Sequence, residues 1–173
     1  MEYKTCSFTG HRPQKLAWRY NETDERCIAL KAALKNQITT LAEAGVTDFY
    51  SGGADGVDCW AALIVLELRK KAPTLKLHLI LPHEGQADKW NNTAQERYRS
   101  ILEQADSVEY VSREYYDGCM LDRNHRLVEA SSLLLAVYNG EWRGGTAATV
   151  RYAQKLQKKV LILHPVSLQM TKA

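Results

Sequence analysis

The sequence SGGADGVD at residues 51–58 is a glycine-rich turn between a predicted strand and a predicted helix, a corner that is typical of α/β folds. The preceding residues 46–50 (VTDFY) have the composition of a strand, and the apolar residues of 57–69 recur at helical spacing. At such a corner the first N–H groups of the helix lack partners within the helix, and the helix dipole favours an anion. The stretch therefore predicts an α/β fold with a phosphate site at this corner.

Apolar runs of strand length alternate with helical patterns along the whole chain. The runs cover residues 4–9, 46–51, 76–81, 107–111, 132–138 and 159–163. The segment LLLAVY at 133–138 is apolar throughout, which is typical of a strand covered by helices on both faces. Right-handed crossovers between such strands predict a three-layer Rossmann-like sandwich with a mainly parallel sheet. We expect residues 1–173 to form one domain, because the chain has the length of one ordinary domain.

Composition and charge argue against several classes of function. The net charge of +3 is low for a nucleic-acid-binding domain, and no apolar stretch approaches the ~20 residues that span a bilayer. The N-terminus lacks the pattern of a secretory signal, so we expect a cytoplasmic protein with no membrane anchor. The four cysteines form no CxxC pair and are predicted to be buried thiols, and no histidine pattern predicts a structural metal. The sequence is compatible both with a monomer and with a homo-oligomer.

Four loops should meet at one edge of the sheet, because loops that follow parallel strands all leave from the same edge. These segments are TGHRP at 9–13, SGGADGVD at 51–58, LPHE at 81–84 and NGEWRGGT at 139–146. Two of them contain glycine-rich corners before helices, which predicts two anion sites and hence a ligand of nucleotide size. The candidate phosphate-binding residues are Gly52, Gly53, Gly56, Gly144, Gly145 and Thr146.

Several charged side chains are candidates for contacts to this ligand. Arg12 suits a phosphate because its planar fork can bind two oxygens, and a surface salt bridge is the alternative. Asp55 and Asp58 are spaced like the N-cap and the third residue of a helix, so each is a capping candidate, and Asp58 is also a candidate acceptor for ribose hydroxyls. His11 either contacts phosphate, acts as an acid or base, or stabilises a turn. Glu84 is either a general base or an exposed carboxylate.

Two tryptophans flank the predicted loops. Trp90 and Trp142 either stack on a base or pack against the protein, and Trp142 is the better stacking candidate. The standard dinucleotide pattern GxGxxG, the P-loop pattern and the GxSxG nucleophile elbow are all absent from the sequence. The familiar chemistries that these patterns indicate are therefore not predicted here.

Five short motifs connect the chain to a known family. They are TGHRP at 9–13, SGGADGVD at 51–58, LP at 81–82, DRN at 122–124 and GGT at 144–146. With these motifs the chain resembles the YpsA/YoqJ-like family of the SLOG superfamily, which also includes the DNA-processing protein DprA and the LOG phosphoribohydrolases. The resemblance implies a Rossmann-like fold that binds a nucleotide or nucleotide-derived ligand. In the family the ligand is expected between the loops that carry Gly10 and Ser51 and the GGT corner. The same resemblance implies that Arg123 and Asn124 also belong to the binding site.

Departures from these relatives bear on the chemistry. The LOG enzymes carry PGGxGTxxE, whose glutamate serves N-glycosidic cleavage, whereas here Arg143 precedes the glycine pair and Thr149 stands at the glutamate position. Asp55 replaces the basic residue of a similar DprA loop, and an acidic residue there repels a phosphate backbone. We therefore expect a nucleotide-ligand sensor or regulatory module with an unidentified ligand. The alternatives are a nucleotide-processing enzyme, by N-glycosidic or phosphate-ester hydrolysis with Asp58 or Glu84 as acid/base, and a disfavoured DprA-like binding of single-stranded DNA.

Overall fold

A seven-stranded sheet organises the computed structural model, which describes residues 3–173. The strands are β1 (Thr5–Gly10), β2 (Asp48–Ser51), β3 (Lys76–Leu81), β4 (Ser107–Tyr110), β5 (Leu133–Val137), β6 (Lys159–Leu163) and β7 (Met170–Lys172). The helices are α1 (Glu25–Glu43), α2 (Val57–Arg69), α3 (Asn92–Gln104), α4 (Cys119–Ala130) and α5 (Gly145–Lys155), with a short 3-10 turn at Pro13–Lys15.

The strand order is β4-β3-β2-β1-β5-β6-β7. The first six strands in this order pair in parallel, and β7 pairs antiparallel with β6. The predicted three-layer Rossmann-like sandwich with a mainly parallel sheet is confirmed. The short strand β7 was not predicted, because its three residues carry too little apolar sequence to stand out.

Helices cover both faces of the sheet, as the apolar run at 133–138 predicted. Leu133, Leu135 and Val137 of β5 belong to the larger core cluster, which also contains residues of α1, α2 and α3. Leu134 and Ala136 point to the other face and pack with apolar residues of α4 and α5. All five residues of β5 are buried, so this central strand has no solvated face.

Other expectations from the sequence concern the helix ends and the thiols. Helix α1 ends just before Gly45, which takes a left-handed φ of 112° and donates its N–H to the carbonyl of Ala42 at 3.1 Å. The four cysteines are free and buried, as predicted, and burial raises the pKa of the Cys6 and Cys59 thiols. Among residues 3–173, no helix is both long enough and apolar enough to cross a membrane.

The topology creates a crevice between β1 and β5. These two strands are neighbours, with Gly10 opposite Val137 at their carboxyl ends. The chain leaves β1 toward α1 on one face and leaves β5 toward α5 on the other face. Ligands of open α/β sheets bind where the connections diverge in this way. The loops after β1 and β5 therefore form the walls of the candidate site.

Candidate functional site

A cleft of about 200 Å³ lies at the carboxyl ends of β1 and β5. Its walls come from the loop after β1, the first turn of α2, helix α4 and the beginning of α5. The lining residues are Thr9, Gly10, His11, Arg12, Gln14, Lys15, Ala54, Asp58, Met120, Arg123, Asn124, Arg143, Gly144, Gly145 and Thr146.

Most of the residues predicted from the sequence meet in this cleft. Those that line it are Gly10, His11, Arg12, Asp58, Arg123, Asn124, Gly144, Gly145 and Thr146. The remaining predicted residues lie beside the cleft without lining it, and they are Ser51, Gly52, Gly53, Asp55 and Gly56. The LPHE segment at 81–84 also stays outside the lining.

The beginning of α5 forms an anion-binding end of the cleft. Gly144 occupies the N-cap position with φ 108°, no side chain caps the helix, and its first turn contains no acidic residue. The first N–H groups of an α-helix have no partners within the helix, and the helix dipole favours negative charge there. Gly145 and Thr146 bring these N–H groups to the wall of the cleft. This geometry suits a phosphate.

Basic side chains dominate the charge around the cleft. Arg12, Lys15 and Arg143 are exposed at its wall, and Asp58 is the only carboxylate among the lining residues. The Lys15 ammonium lies 3.9 Å from a carboxylate oxygen of Glu141, a contact that solvent screens at the exposure of both side chains. The cleft is therefore electropositive and favours an anionic ligand.

Arg123 is a buried cation that joins α4 to the loop after β2. Its side chain is only 3% exposed, and Nη1 donates to the carbonyl of Gly52 at 2.5 Å and to Oε1 of Gln86 at 3.2 Å. Its Nε donates to Oδ1 of Asn124 at 2.7 Å. A Cβ on Gly52 would lie 2.7 Å from Nη1, so glycine is needed there to admit the guanidinium. Gly52 thus makes room for a protein side chain.

Asp58 places a buried carboxyl group in the cleft. It is 6% exposed, and burial raises its pKa against the opposing effects of Arg123, of the Ala54 N–H and of Arg12. The N-cap of α2 is Gly56, so Asp58 is the second helical residue. Asp58 therefore does not occupy the predicted third position of the helix; its side chain accepts the Ala54 N–H before the N-cap and also lines the cleft.

The other residues of the loop at 51–58 make hydrogen bonds and packing contacts within the protein. The Ser51 hydroxyl donates to the carbonyl of Asp58 at 2.9 Å and accepts the Gly53 N–H at 3.2 Å. Asp55 accepts the Gly56 N–H at 2.9 Å from outside the helix, so it does not occupy the predicted N-cap position. A Cβ on Gly53 would lie 2.8 Å from Leu81, and one on Gly56 would lie 2.9 Å from Pro13.

His11 connects the two loops that form the cleft. The N–H of Asn139 donates to its Nε2 at 3.3 Å, and burial lowers the pKa of the imidazole. A neutral ring with Nε2 as acceptor satisfies this contact. Of the roles considered for His11, stabilising the loops is the one that this hydrogen bond supports.

The remaining candidates differ in their surroundings. Glu84 is exposed outside the cleft, with a carboxylate oxygen 3.9 Å from Nε of Arg113. Trp90 packs edge-on against Tyr98, with ring centroids 5.2 Å apart, so it is a packing residue. Trp142 is 78% exposed.

Sequence reasoning missed several residues of the cleft and of its support. Lys15 and Gln14 follow the TGHRP motif within two residues and line the cleft. Met120 precedes Arg123 and Asn124 by three and four positions on α4, and this helical spacing was a usable signal. Gln86 has no such signal, because it follows β3 in an irregular segment and reaches Arg123 only through the fold.

The raised pKa of Asp58 predicts a pH-dependent effect of Asp58→Asn. At pH values between 3.8, the usual pKa of an aspartate, and the raised pKa, Asp58 keeps its proton in the folded protein and has released it in the unfolded chain. The stability that this proton supplies is complete below pH 3.8 and is lost as the pH rises through the raised pKa. Asparagine is uncharged at every pH, so we expect the variant to be more stable than wild type at pH 8.

Urea unfolding of both proteins from pH 4 to pH 8 measures this difference, which should grow with pH. Asp117→Asn, at an exposed position, is the matched control and should show no comparable rise. A variant that is less stable than wild type at pH 8 would contradict the prediction.

The fold and the cleft together define a Rossmann-like α/β protein with a basic crevice where the strand order reverses. The chain belongs to the YspA SLOG family, whose YpsA model matches residues 6–168. The family resemblance given by the five motifs is thereby confirmed.

Relatives of similar length support this membership. The chain is 31% identical over 153 residues to a UPF0398 protein of Bacillus pumilus, covering 87% of this chain and 82% of the relative. It is 33% identical over 155 residues to a UPF0398 protein of Bacillus cereus strain G9842, covering 88% and 83%. A UPF0398 protein of Halalkalibacterium halodurans is 30% identical over 158 residues, covering 90% and 83%.

Proposed function

We propose that the cleft binds a nucleotide or nucleotide-derived ligand and that the protein is a cytoplasmic sensor or regulatory module. The observation that carries the proposal is the meeting of an uncapped helix beginning, several basic side chains and one buried carboxyl group in a single cleft. The free, buried thiols suit a reducing compartment.

The phosphate of this ligand binds at the beginning of α5. The backbone N–H groups of Gly145 and Thr146 donate to its oxygens, as is common for anions at helix beginnings. Arg12 and Arg143 neutralise its charge from the exposed rim, and a guanidinium can donate two parallel hydrogen bonds to a phosphate. The glycine at position 144 keeps this approach free of a side chain.

Polar groups deeper in the cleft suit a sugar. The Asp58 carboxyl group offers oxygens that accept hydrogen bonds from hydroxyl groups. Oδ1 of Asn124 accepts the Nε–H of Arg123, so Nδ2 of Asn124 points toward Gly145. It lies 3.8 Å from the position that a Cβ on Gly145 would take. The amide N–H groups of Asn124 thus face the space between the sugar and the phosphate. These groups support a ribose phosphate as the shared part of the ligand.

The proposal is tested by thermal unfolding with adenine and guanine nucleotides, NAD, ADP-ribose, cyclic nucleotides and a short single-stranded oligonucleotide. A ligand at a hundred times its Kd should add about 2.7 kcal/mol of stability and raise Tm by roughly 5 °C or more. Arg12→Gln should weaken binding of the active compound about tenfold, because a charge-assisted hydrogen bond is lost.

Arg113→Gln removes the same charge from a side chain that is 85% exposed and lies outside the cleft, so it should bind as wild type does. A wild-type protein that responds to none of the small molecules would overturn the proposal. A response to the oligonucleotide alone, weakened by salt, would favour the DNA-binding alternative.

A nucleotide-processing enzyme is the second candidate. It is favoured by Asp58, since a carboxyl group with a raised pKa in a cleft is a candidate proton donor. Chromatography of nucleotides after incubation with the protein would reveal free base, ribose phosphate or inorganic phosphate. Products that form with wild type and disappear with Asp58→Asn would establish the enzyme, and no turnover by wild type would exclude it for those nucleotides.

A further inference from the structure

Trp142 is the most exposed large apolar side chain of residues 3–173, at 78%. Tryptophan stabilises a protein through the large apolar area that it buries, and Trp142 leaves most of that area in water. A scattered exposed apolar residue is ordinary in itself, so the location of Trp142 decides whether it has a role.

Trp142 is adjacent in sequence to the proposed phosphate site, although its side chain is not among those that line the cleft. Trp142 lies on the loop between β5 and α5, and the next three residues, Arg143, Gly144 and Gly145, all line the cleft. Consecutive Cα atoms are about 3.8 Å apart, so the indole is within side-chain reach of the cleft mouth.

The loop holds Trp142 in place. The hydroxyl of Tyr138 donates to the carbonyl of Glu141, and Nη1 of Arg151 donates to the carbonyl of Trp142 at 2.7 Å. The N–H of Glu141 donates to Oδ1 of Asn139 at 3.0 Å. Because these bonds already fix the loop, a ligand that uses it loses little free energy to ordering.

One face of the indole is already occupied by a cation. The guanidinium carbon of Arg151 lies 5.0 Å from the ring centroid, and the high exposure of the ring leaves the opposite face to solvent. An aromatic ring with one open face and a positive charge behind it is a suitable platform for a nucleobase.

The size of the cleft explains why such a platform is needed. Its volume of about 200 Å³ is below the roughly 300 Å³ at which small-molecule sites usually begin. A phosphate and a sugar suit a cleft of this volume, and the base of such a ligand would extend toward the open rim.

We propose that Trp142 stacks on the base of a ligand whose phosphate lies at the beginning of α5. This inference rests on the proposed function and sharpens it: the ligand carries an aromatic base, and a phosphorylated sugar alone is a poorer ligand. A neighbouring depression of about 390 Å³, which shares His11, Gln14 and Lys15 with the cleft, is the competing location for the base.

Calorimetric titration with AMP, GMP and ribose 5-phosphate tests this assignment. Wild type should bind the two nucleotides about tenfold or more tightly than ribose 5-phosphate, as expected for one stacked base. Trp142→Ala should lose that difference and keep the wild-type affinity for ribose 5-phosphate. Tyr115→Ala, which removes another exposed ring at 61%, is the control and should change neither affinity.

Fluorescence gives an independent measurement. Trp18 and Trp60 are buried and Trp90 is half-buried, so iodide should quench mainly Trp142, and AMP should protect it while ribose 5-phosphate should not. Equal wild-type affinities for all three compounds, or a base preference that survives in Trp142→Ala, would overturn the inference and leave the proposed function standing. Binding of none of them would overturn the inference for these ligands, and the thermal-unfolding panel with NAD, ADP-ribose and cyclic nucleotides would then decide the proposed function. A change from dimer to monomer in Trp142→Ala, without loss of the base preference, would assign Trp142 to contact with a second copy.

Discussion

Arg123→Met is expected to lower the free energy of unfolding by about 3 kcal/mol, because it removes a buried cation from its partners. Methionine keeps most of the apolar side chain but cannot donate to the Gly52 carbonyl or to Gln86. It also leaves the buried Asp58 carboxyl group without the favourable charge of Arg123. Urea unfolding at pH 8, with the midpoint and slope compared with wild type, measures the loss.

A double variant separates the charge from the hydrogen bonds. If the guanidinium of Arg123 stabilises the charged Asp58 carboxylate, Arg123→Met should lower the free energy of unfolding by about 1 kcal/mol less in the Asp58→Asn background than in wild type. Arg126→Met is the control for helix α4: the side chain is half-exposed and pairs with Glu109 near solvent, so its loss should cost at most about 1 kcal/mol. Strictly additive effects of the two changes would show that the charges of Arg123 and Asp58 do not interact.

Gly10→Ala is the second large effect, with an expected loss of about 2–3 kcal/mol. A Cβ at position 10 would lie 2.5 Å from Cγ1 and 2.6 Å from Cβ of Val57. Val57 is 1% exposed at the start of α2, so the helix must shift against β1 to relieve this overlap. Chemical denaturation of the variant gives the size of the loss, and the shift of α2 should also displace Asp58 and weaken ligand binding.

Gly145→Ala is the matched control. The added methyl would lie 3.8 Å from Nδ2 of Asn124, an ordinary contact, and the residue has no left-handed φ. This variant should unfold within about 0.5 kcal/mol of wild type. If Gly10→Ala were as stable as Gly145→Ala, close packing of β1 against α2 would not be the reason for glycine at position 10.

The fold could be predicted from the sequence to a large extent, because it depends on local patterns. The apolar run at 159–163 coincides with β6, and 76–81 coincides with β3. Gly45 was a correct signal for the end of α1, since the left-handed backbone at that position favours glycine. β7 was missed because a three-residue strand has no periodicity to detect.

The site was harder to predict, because its details depend on contacts between distant segments. The sequence indicated that the loops after β1 and β5 would meet, but it could not show which surface each glycine faces. The conformation of Gly53 and the space beside Gly52 serve packing against Leu81 and Arg123, a distinction that needs three-dimensional contacts. Arg123 illustrates the same limit: within the segment DRNHR it resembles an exposed helical charge, yet it is 3% exposed.

The pairing of β1 with β5 also determines when the cleft comes into existence. The two strands are held together by contacts such as the Ser132 N–H donating to the Thr5 hydroxyl across 127 positions of sequence. One wall of the cleft belongs to the first third of the chain and the other to residues 120–146. During synthesis the first wall is therefore finished long before the second is made, and distant pairings of this kind are slow to form. If the proposed ligand spans both walls, it can bind only chains in which synthesis has passed α5 and the central strands have joined, and occupancy of the cleft would then report completed folding.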